Sequence, residues 1–258
     1  MPRARFTVAY DGGAFHGFAP NDGVATVAGT IAEAMSRVVG APVELTGAGR
    51  TDAGVHGWGQ VISLDLPAGQ DLAQLAHRIN RMCDPAIALR DPAWVDADFD
   101  ARFSARWRHY RYTVLNTPAA HPLLARVAWH VPQPLELALL QLAADALVGE
   151  HDFTSFCRRP KLPPGAPPAS LVRRVVSARW SEHADDTFGV PLLRFEIRAN
   201  AFCHQMVRAI TGTLVDVGLG RISAGDIVGI LAARDRAAAG QVAPPQGLTL
   251  WEVGYDQS

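Results

Sequence analysis

The 258-residue sequence has only three cysteines, a single lysine among its 24 basic residues, and no long apolar run. Cys83, Cys157 and Cys203 lie far apart with no C-x-x-C pair, so neither a disulfide framework nor a sequence-evident zinc site is expected. They read as small buried apolar side chains. No uninterrupted apolar stretch approaches the roughly 20 residues needed to span a bilayer. The opening residues "MPRARFTVAYDG" carry no apolar leader segment. The expectation is a cytoplasmic chain with no membrane contact. A phosphate-binding loop is missing too: Gly47 and Gly49 begin a G-x-G, but Asp52 stands where a dinucleotide fingerprint needs its third glycine, and no Walker lysine follows.

What is present is a composition that folds: 48% hydrophobic and 19% charged, enough for one large or two small domains. The net charge of -1 conceals an uneven distribution. Residues 101–130 hold Arg102, Arg106, Arg108, Arg111 and Arg126 and no acid. Residues 153–180 hold Arg158, Arg159, Lys161, Arg173, Arg174 and Arg179, again with no acid, whereas the first hundred residues carry twelve acids. Such clustering suits a polyanion or an ordinary solvated surface, and charge alone does not choose between them.

Periodicity gives two similar series of elements. "RFTVAY" alternates Phe6, Val8 and Tyr10 as a half-buried strand. "TVAGTIAEAMSRVVG" places Val27, Ile31, Met35 and Val38 at helical spacing with Gly40 as a stop. "VEL" and "QVISLDL" predict strands on either side of a glycine loop, and a helix opens at Asp71 as N-cap. "WVDADF" is a weaker strand. In the second half, "WRHYRYTVL", "VVSARWSEH" and "LLRFEIRAN" predict strands and "PLELALLQLAADALVG" a helix. In "NAFCHQMVRAITGTLVDVG" an apolar stripe of Phe202, Met206, Ile210, Leu214 and Val217 predicts one long amphipathic helix with His204 and Arg208 on another face. "PKLPPGAPPAS" at 160–170 reads as an excursion from the second half. The fold class is therefore α+β, in two related halves, 1–104 and 105–258, with mainly antiparallel sheet.

The glycine loop is "GAGRTDAGVHG", residues 47–57, with one carboxylate, Asp52. Glycines let a backbone approach a ligand and take positive φ. Arg50 offers a planar cation for phosphate or for stacking on a base. Taken alone, the loop reads first as a tight turn whose Asp caps its own backbone.

Together with "AYDGGAFHGF", "FSARWRHYRYTVLN", "GEHDFTSFC", "NAFCHQMVRAITGTLVDVG" and "APPQGLTLWEVGY", in that order, the loop resembles the TruA-type tRNA pseudouridine synthases over nearly the whole chain. The sequence departs from the family where Phe18 and Ala19 replace a usual Trp-Gln, where "TVAG" replaces Thr-Val-Gln-Gly, and in the longer Pro-rich segment. The resemblance implies a pseudouridine synthase fold and isomerisation of uridine at positions 38–40 of the tRNA anticodon stem-loop, without cofactor or metal. It makes Asp52 the catalytic carboxylate and Tyr110 the tyrosine against the uracil ring that assists proton transfer. Arg208 is then the cation that keeps the carboxylate ionised, since desolvation alone would push an Asp toward its neutral form. Leu248 is implied as an apolar pocket wall. Arg50 accompanies extrusion of the base from its stack, and basic segments including Arg158 and Arg159 hold the RNA backbone. A homodimer is implied as well.

Two other classes fit parts of the sequence. A silent RNA-binding module of two RRM-like halves would explain the arginines, but it lacks the RRM aromatic signature and gives Asp52 no task. A hydrolase using His151 and Asp152, or a metal site on His56, Cys203 and His204, would use residues that the first reading leaves aside.

Overall fold

The computed structural model describes residues 1–159 and 170–256. Of the Pro-rich segment, all but Ser170 lies outside the described residues. Ten strands and five α-helices follow one another among them. The first are β1 (Arg3–Tyr10), α1 (Val27–Val39), β2 (Leu45–Gly47), β3 (His56–Asp65), α2 (Leu72–Cys83) and β4 (Ile87–Val95). Then come β5 (Trp107–Leu115), β6 (Trp129–His130), α3 (Leu137–Asp145), β7 (Gly149–Asp152), β8 (Val172–Ala184), β9 (Pro191–Ala199), α4 (Met206–Gly218), α5 (Asp226–Ala233) and β10 (Leu248–Gly254).

The chain forms two compact units, Met1–Trp107 with the chain from Thr249 on, and Arg108–Leu248. A division at residue 104 would assign β10 to the second half, whereas all but its first residue belongs to the first unit.

In the first unit β1 runs antiparallel between β3 and β4, β2 pairs antiparallel with β3, and β10 adds in parallel at Thr249–His56 and Leu250–Gly57. The strand alternation seen in the sequence sets the two faces. Ala4, Phe6, Val8 and Tyr10 are buried in one cluster with Ile62 and Leu64, with Val27, Ile31 and Met35 of α1, and with Leu72, Leu75 and Ile79 of α2. Each fully buried Ile, Leu or Phe contributes about 1.5–3 kcal/mol. The helix ends are where local chemistry puts them. The Thr26 hydroxyl accepts from the Gly29 N–H, Gly40 stops α1 at φ 80°, and Asp71 accepts from the Gln74 N–H.

In the second unit β9 lies antiparallel between β5 and β8, β7 extends the sheet beyond β8, and β6 pairs in parallel with β5. Tyr110, Tyr112, Phe195, Ile197 and Trp180 are buried on one face. Gln141 ties α3 to β8, accepting from the Trp180 N–H at 2.8 Å and donating to the Ala178 carbonyl at 3.2 Å.

Three expectations need correction. The predicted long helix begins only at Met206, because Gln205 sits at φ 64° and breaks the turn. Phe202 and His204 therefore precede α4, and His204 does not share a helix face with Arg208. The helix is also buried nearly all round, with Thr211 and Thr213 hydroxyls satisfied by the carbonyls of Val207 and Ala209, so a one-sided stripe understates its packing. Finally, Cys157 and Cys203 are joined in a disulfide with Cα atoms 5.8 Å apart, within the usual span, while Cys83 is free and buried. A separation of 46 residues hides that pairing from spacing arguments. No described helix is long and apolar enough to cross a membrane.

Candidate active site

The Asp52 loop joins β2 to β3, and polar contacts hold it at Ala48, Gly49, Thr51 and Val55. At its entry, the Ala48 N–H donates to the Val61 carbonyl at 2.8 Å. Gln60, fully buried on β3, donates to the Gly49 carbonyl at 2.8 Å, and its own carbonyl accepts from the N–H groups of Gly49 and Val61. Thr51 is buried, its Oγ1 2.8 Å from the Tyr10 hydroxyl, and its carbonyl accepts from the Phe18 N–H at 3.1 Å. Beyond the acid, the Val55 N–H closes a turn on the Asp52 carbonyl at 3.2 Å, and Gly54 supplies the required φ of 79°. Gly12 packs so closely on the Val55 carbonyl that a Cβ would overlap it, and its N–H donates to His56 Nδ1 at 3.1 Å.

The outcome is a preorganised backbone presenting one acid. Thr51 and Val55 are buried, Asp52 is half-buried and Arg50 is exposed. Such a loop holds a carboxylate at a fixed point with little freedom to lose on meeting a ligand. Phe18, the departure from the family pattern, is 3% exposed and fills the space over Gly47, its ring 6.0 Å from that of Tyr10. Its substitution falls on a residue that supports the loop from below.

The second unit holds the remaining implied residues. Tyr110 of β5 is buried, with Phe202 edge-on at 5.0 Å. Arg208 lies in the first turn of α4, and its Nε donates to the Ala243 carbonyl at 2.8 Å while the Ala243 N–H donates back to the Arg208 carbonyl. The same segment bonds Tyr112, whose hydroxyl donates to the Pro244 carbonyl at 2.7 Å; burial pushes that phenol up despite the opposing charge of Arg208. Leu248 is buried at the end of this segment. Arg158 and Arg159 are both exposed, and the Arg158 N–H bonds the His204 carbonyl.

The register of β5, β9 and β8 assembles a basic face that a segment-by-segment count of charges misses. Arg111, Arg179, Arg194 and Arg198 share the side of the sheet opposite Tyr112, Phe195 and Ile197, with Glu196 among them bonded to Arg111. The period-two spacing of "RFEIR" carries this information for Arg194 and Arg198. The supports Tyr10 and Gln60, by contrast, have no sequence signal as loop partners, since their contacts span 41 and 11 residues.

The rival dyad is not assembled. Asp152 accepts from the Thr154 N–H and hydroxyl and pairs with Arg234 at 3.2 Å, while His151 contacts the Val148 carbonyl. Cys203 is bound in the disulfide and offers no thiolate to a metal.

The α+β fold expected of a pseudouridine synthase is the one found. A family model described as tRNA pseudouridine synthase matches residues 143–256, and full-length relatives match as well, so the chain belongs to the tRNA pseudouridine synthase family. The relatives carry the name tRNA pseudouridine synthase A. The protein of Brevibacillus brevis is 40% identical over 99% of this chain and all of its own length. That of Caulobacter sp. is 39% identical over 99% of each chain, and that of Listeria welshimeri 39% identical over 99% of this chain and all of its own.

Proposed function

We propose that the protein isomerises uridine to pseudouridine at positions 38–40 in the anticodon arm of tRNA, with Asp52 as its catalytic carboxylate. Membership of the family supports the reaction class, an isomerase acting on tRNA. The observation that carries the residue assignment is the loop itself: bonds from Tyr10, Gln60 and Phe18 hold Gly49 and Thr51 just before one half-buried acid, and the Val55 N–H closes a turn on the acid's own carbonyl just after it.

The reaction breaks the N1–C1′ bond of uridine, turns the base in place and joins C5 to C1′. The proton on C5 leaves and N1 gains one, so atoms balance without a second substrate. Asp52 acts ionised on the nucleoside, as nucleophile or electrostatic stabiliser. Tyr110 lies against the base and assists proton transfer, and Arg208 supplies the cation that favours the charged carboxylate. Leu248 contributes an apolar wall. A stacked uridine cannot enter such a site, and extrusion costs roughly a few kcal/mol, which Arg50 offsets by occupying the vacated place. Arg158 and Arg159 contact the RNA backbone and add affinity that falls with salt. The working unit in this reading is a cytoplasmic homodimer, one subunit holding the tRNA body while its anticodon arm enters the other; sedimentation as a monomer would reject that part.

The test of the substrate assignment is chemical mapping of pseudouridine in an unmodified tRNA transcript after incubation. Modification confined to positions 38–40 supports it, and modification elsewhere overturns it.

A further inference from the structure

The outward face of the first unit's sheet carries an aromatic stack that the catalytic reading leaves without a role. Trp58, six residues beyond Asp52 on β3, is 47% exposed. Its ring stacks on Trp251 of β10, with centroids 5.9 Å apart and planes 22° apart. Arg90 of β4 places its guanidinium 4.0 Å from the Trp58 ring centroid and donates a hydrogen bond to the Trp58 carbonyl.

A β-bulge creates the arrangement. Val8 pairs with Gln60 but Tyr10 with Gly57, so β3 has one more residue than β1 at Trp58 and Gly59. A Cβ on Gly59 would overlap the Trp251 carbonyl, so the missing side chain is what allows the close approach of β10. Arg90 pairs across from Thr7, and Arg5, two residues back on the same face of β1, lies 5.5 Å over the Tyr255 ring.

Two tryptophans, with Arg90 over the Trp58 ring and Arg5 over the Tyr255 ring, make a surface for planar ligands joined by negative charge. Nucleobases have that chemistry: each offers a π-face, and the phosphates between them meet the cations. A second copy of this chain fits less well, because a two-fold contact through this face would bring the same arginines toward each other. We propose that Trp58, flanked by Arg90 and Trp251, is a stacking platform for an unpaired nucleobase of RNA, a base other than the uridine that is isomerised. The proposal rests on the reading of RNA as substrate.

The experiment measures affinity of the full chain for three probes: unmodified tRNA transcript, an oligouridylate, and inorganic polyphosphate as an anion without bases. Trp58→Leu should weaken oligouridylate binding at least about fivefold, the scale of one lost base stack. Trp58→Phe should restore most of that loss, and polyphosphate should bind all three forms equally. Irradiating the unaltered protein with a 4-thiouridine-containing oligonucleotide should give adducts on β3 at or beside Trp58, a readout that needs no variant to fold. Equal RNA affinity in the Leu variant, equal loss for polyphosphate, or adducts confined to other segments would overturn the platform. So would a dimer that separates in the Leu variant with RNA affinity unchanged, which would assign the face to a second copy. Tritium release from C5-labelled tRNA by the unaltered protein is read separately: its presence with any of these failures leaves the isomerase reading standing, whereas its absence removes that reading whatever Trp58 does.

Discussion

The hydroxyl of Tyr10, at the end of β1, lies 2.8 Å from Oγ1 of Thr51, the residue immediately before Asp52. This buried bond ties the position of the acid to the core strand of the first unit. Tyr10→Phe keeps the ring against Phe18 and removes the bond to Thr51, at a stability cost of about 1 kcal/mol. Steady-state kinetics should show a lower kcat with KM within about twofold, because the loss falls on positioning rather than on RNA contacts. An unchanged kcat would show that the loop does not need this brace.

Gln60 is a stronger case. Gln60→Leu is close in size but strips three hydrogen bonds and leaves the buried Val61 N–H and the part-buried N–H and carbonyl of Gly49 without this partner. Unanswered buried groups cost about 1–3 kcal/mol each, so urea unfolding should shift by about 2 kcal/mol or more, with turnover falling as well. A shift under about 0.5 kcal/mol would contradict the clamped-loop description.

Glycine substitutions separate close approach from open space. Gly12→Ala would drive a methyl into the Val55 carbonyl, while Gly229→Ala meets nothing within 4 Å on α5. The first should destabilise the protein by more than about 2 kcal/mol, and the second should stabilise it slightly, as Ala does in a helix interior. Melting temperatures of the two variants check the contrast, and similar values would refute it.

Much of this was legible in the sequence, and the misses have physical causes. α1 and α2 are readable from the Gly40 stop and the Asp71 N-cap because caps are local chemistry, whereas the Thr26 cap emerges only from the structure. The exact span of β5 was readable because Tyr110, Tyr112 and Val114 alternate with solvent-facing residues. The start of α4 was not, since apolar spacing continues through Phe202 while a single residue, Gln205, turns the backbone left-handed. β4 ends at Val95, so the strand lies mostly before "WVDADF"; its buried Ile87 and Leu89 are too few to announce it. α5 is a short apolar helix of eight residues without a strong pattern, so the sequence does not announce it. For the site, the Asp52 loop stands out by its motif, whereas Tyr10, Gln60 and Phe18 meet it through pairings that only the folded register brings about.

Asp152 provides a test by pH. Hydrogen bonds from Thr154, aided by Arg234, hold its carboxyl below the usual carboxylate range. Its folded value is thus lower than its unfolded one, so its contribution is complete above about pH 4 and is lost as pH falls through the lowered value. Asp152→Ala should lower the urea midpoint at pH 7, and the difference from the unaltered protein should shrink at pH 3. Turnover at pH 7 should be retained within about threefold once folding is allowed for, since the carboxylate is taken up in a local turn on Thr154. Abolished turnover in a folded variant would revive a catalytic role for "HD".

The central claim is that the ionised carboxylate of Asp52 performs the chemistry. Asp52→Asn keeps the size and removes the charge, and the direct measurement is tritium release from tRNA labelled at uracil C5. The account predicts no release above background with tRNA affinity within about tenfold, or about 1.4 kcal/mol, of the unaltered protein; release at the unaltered rate would contradict it.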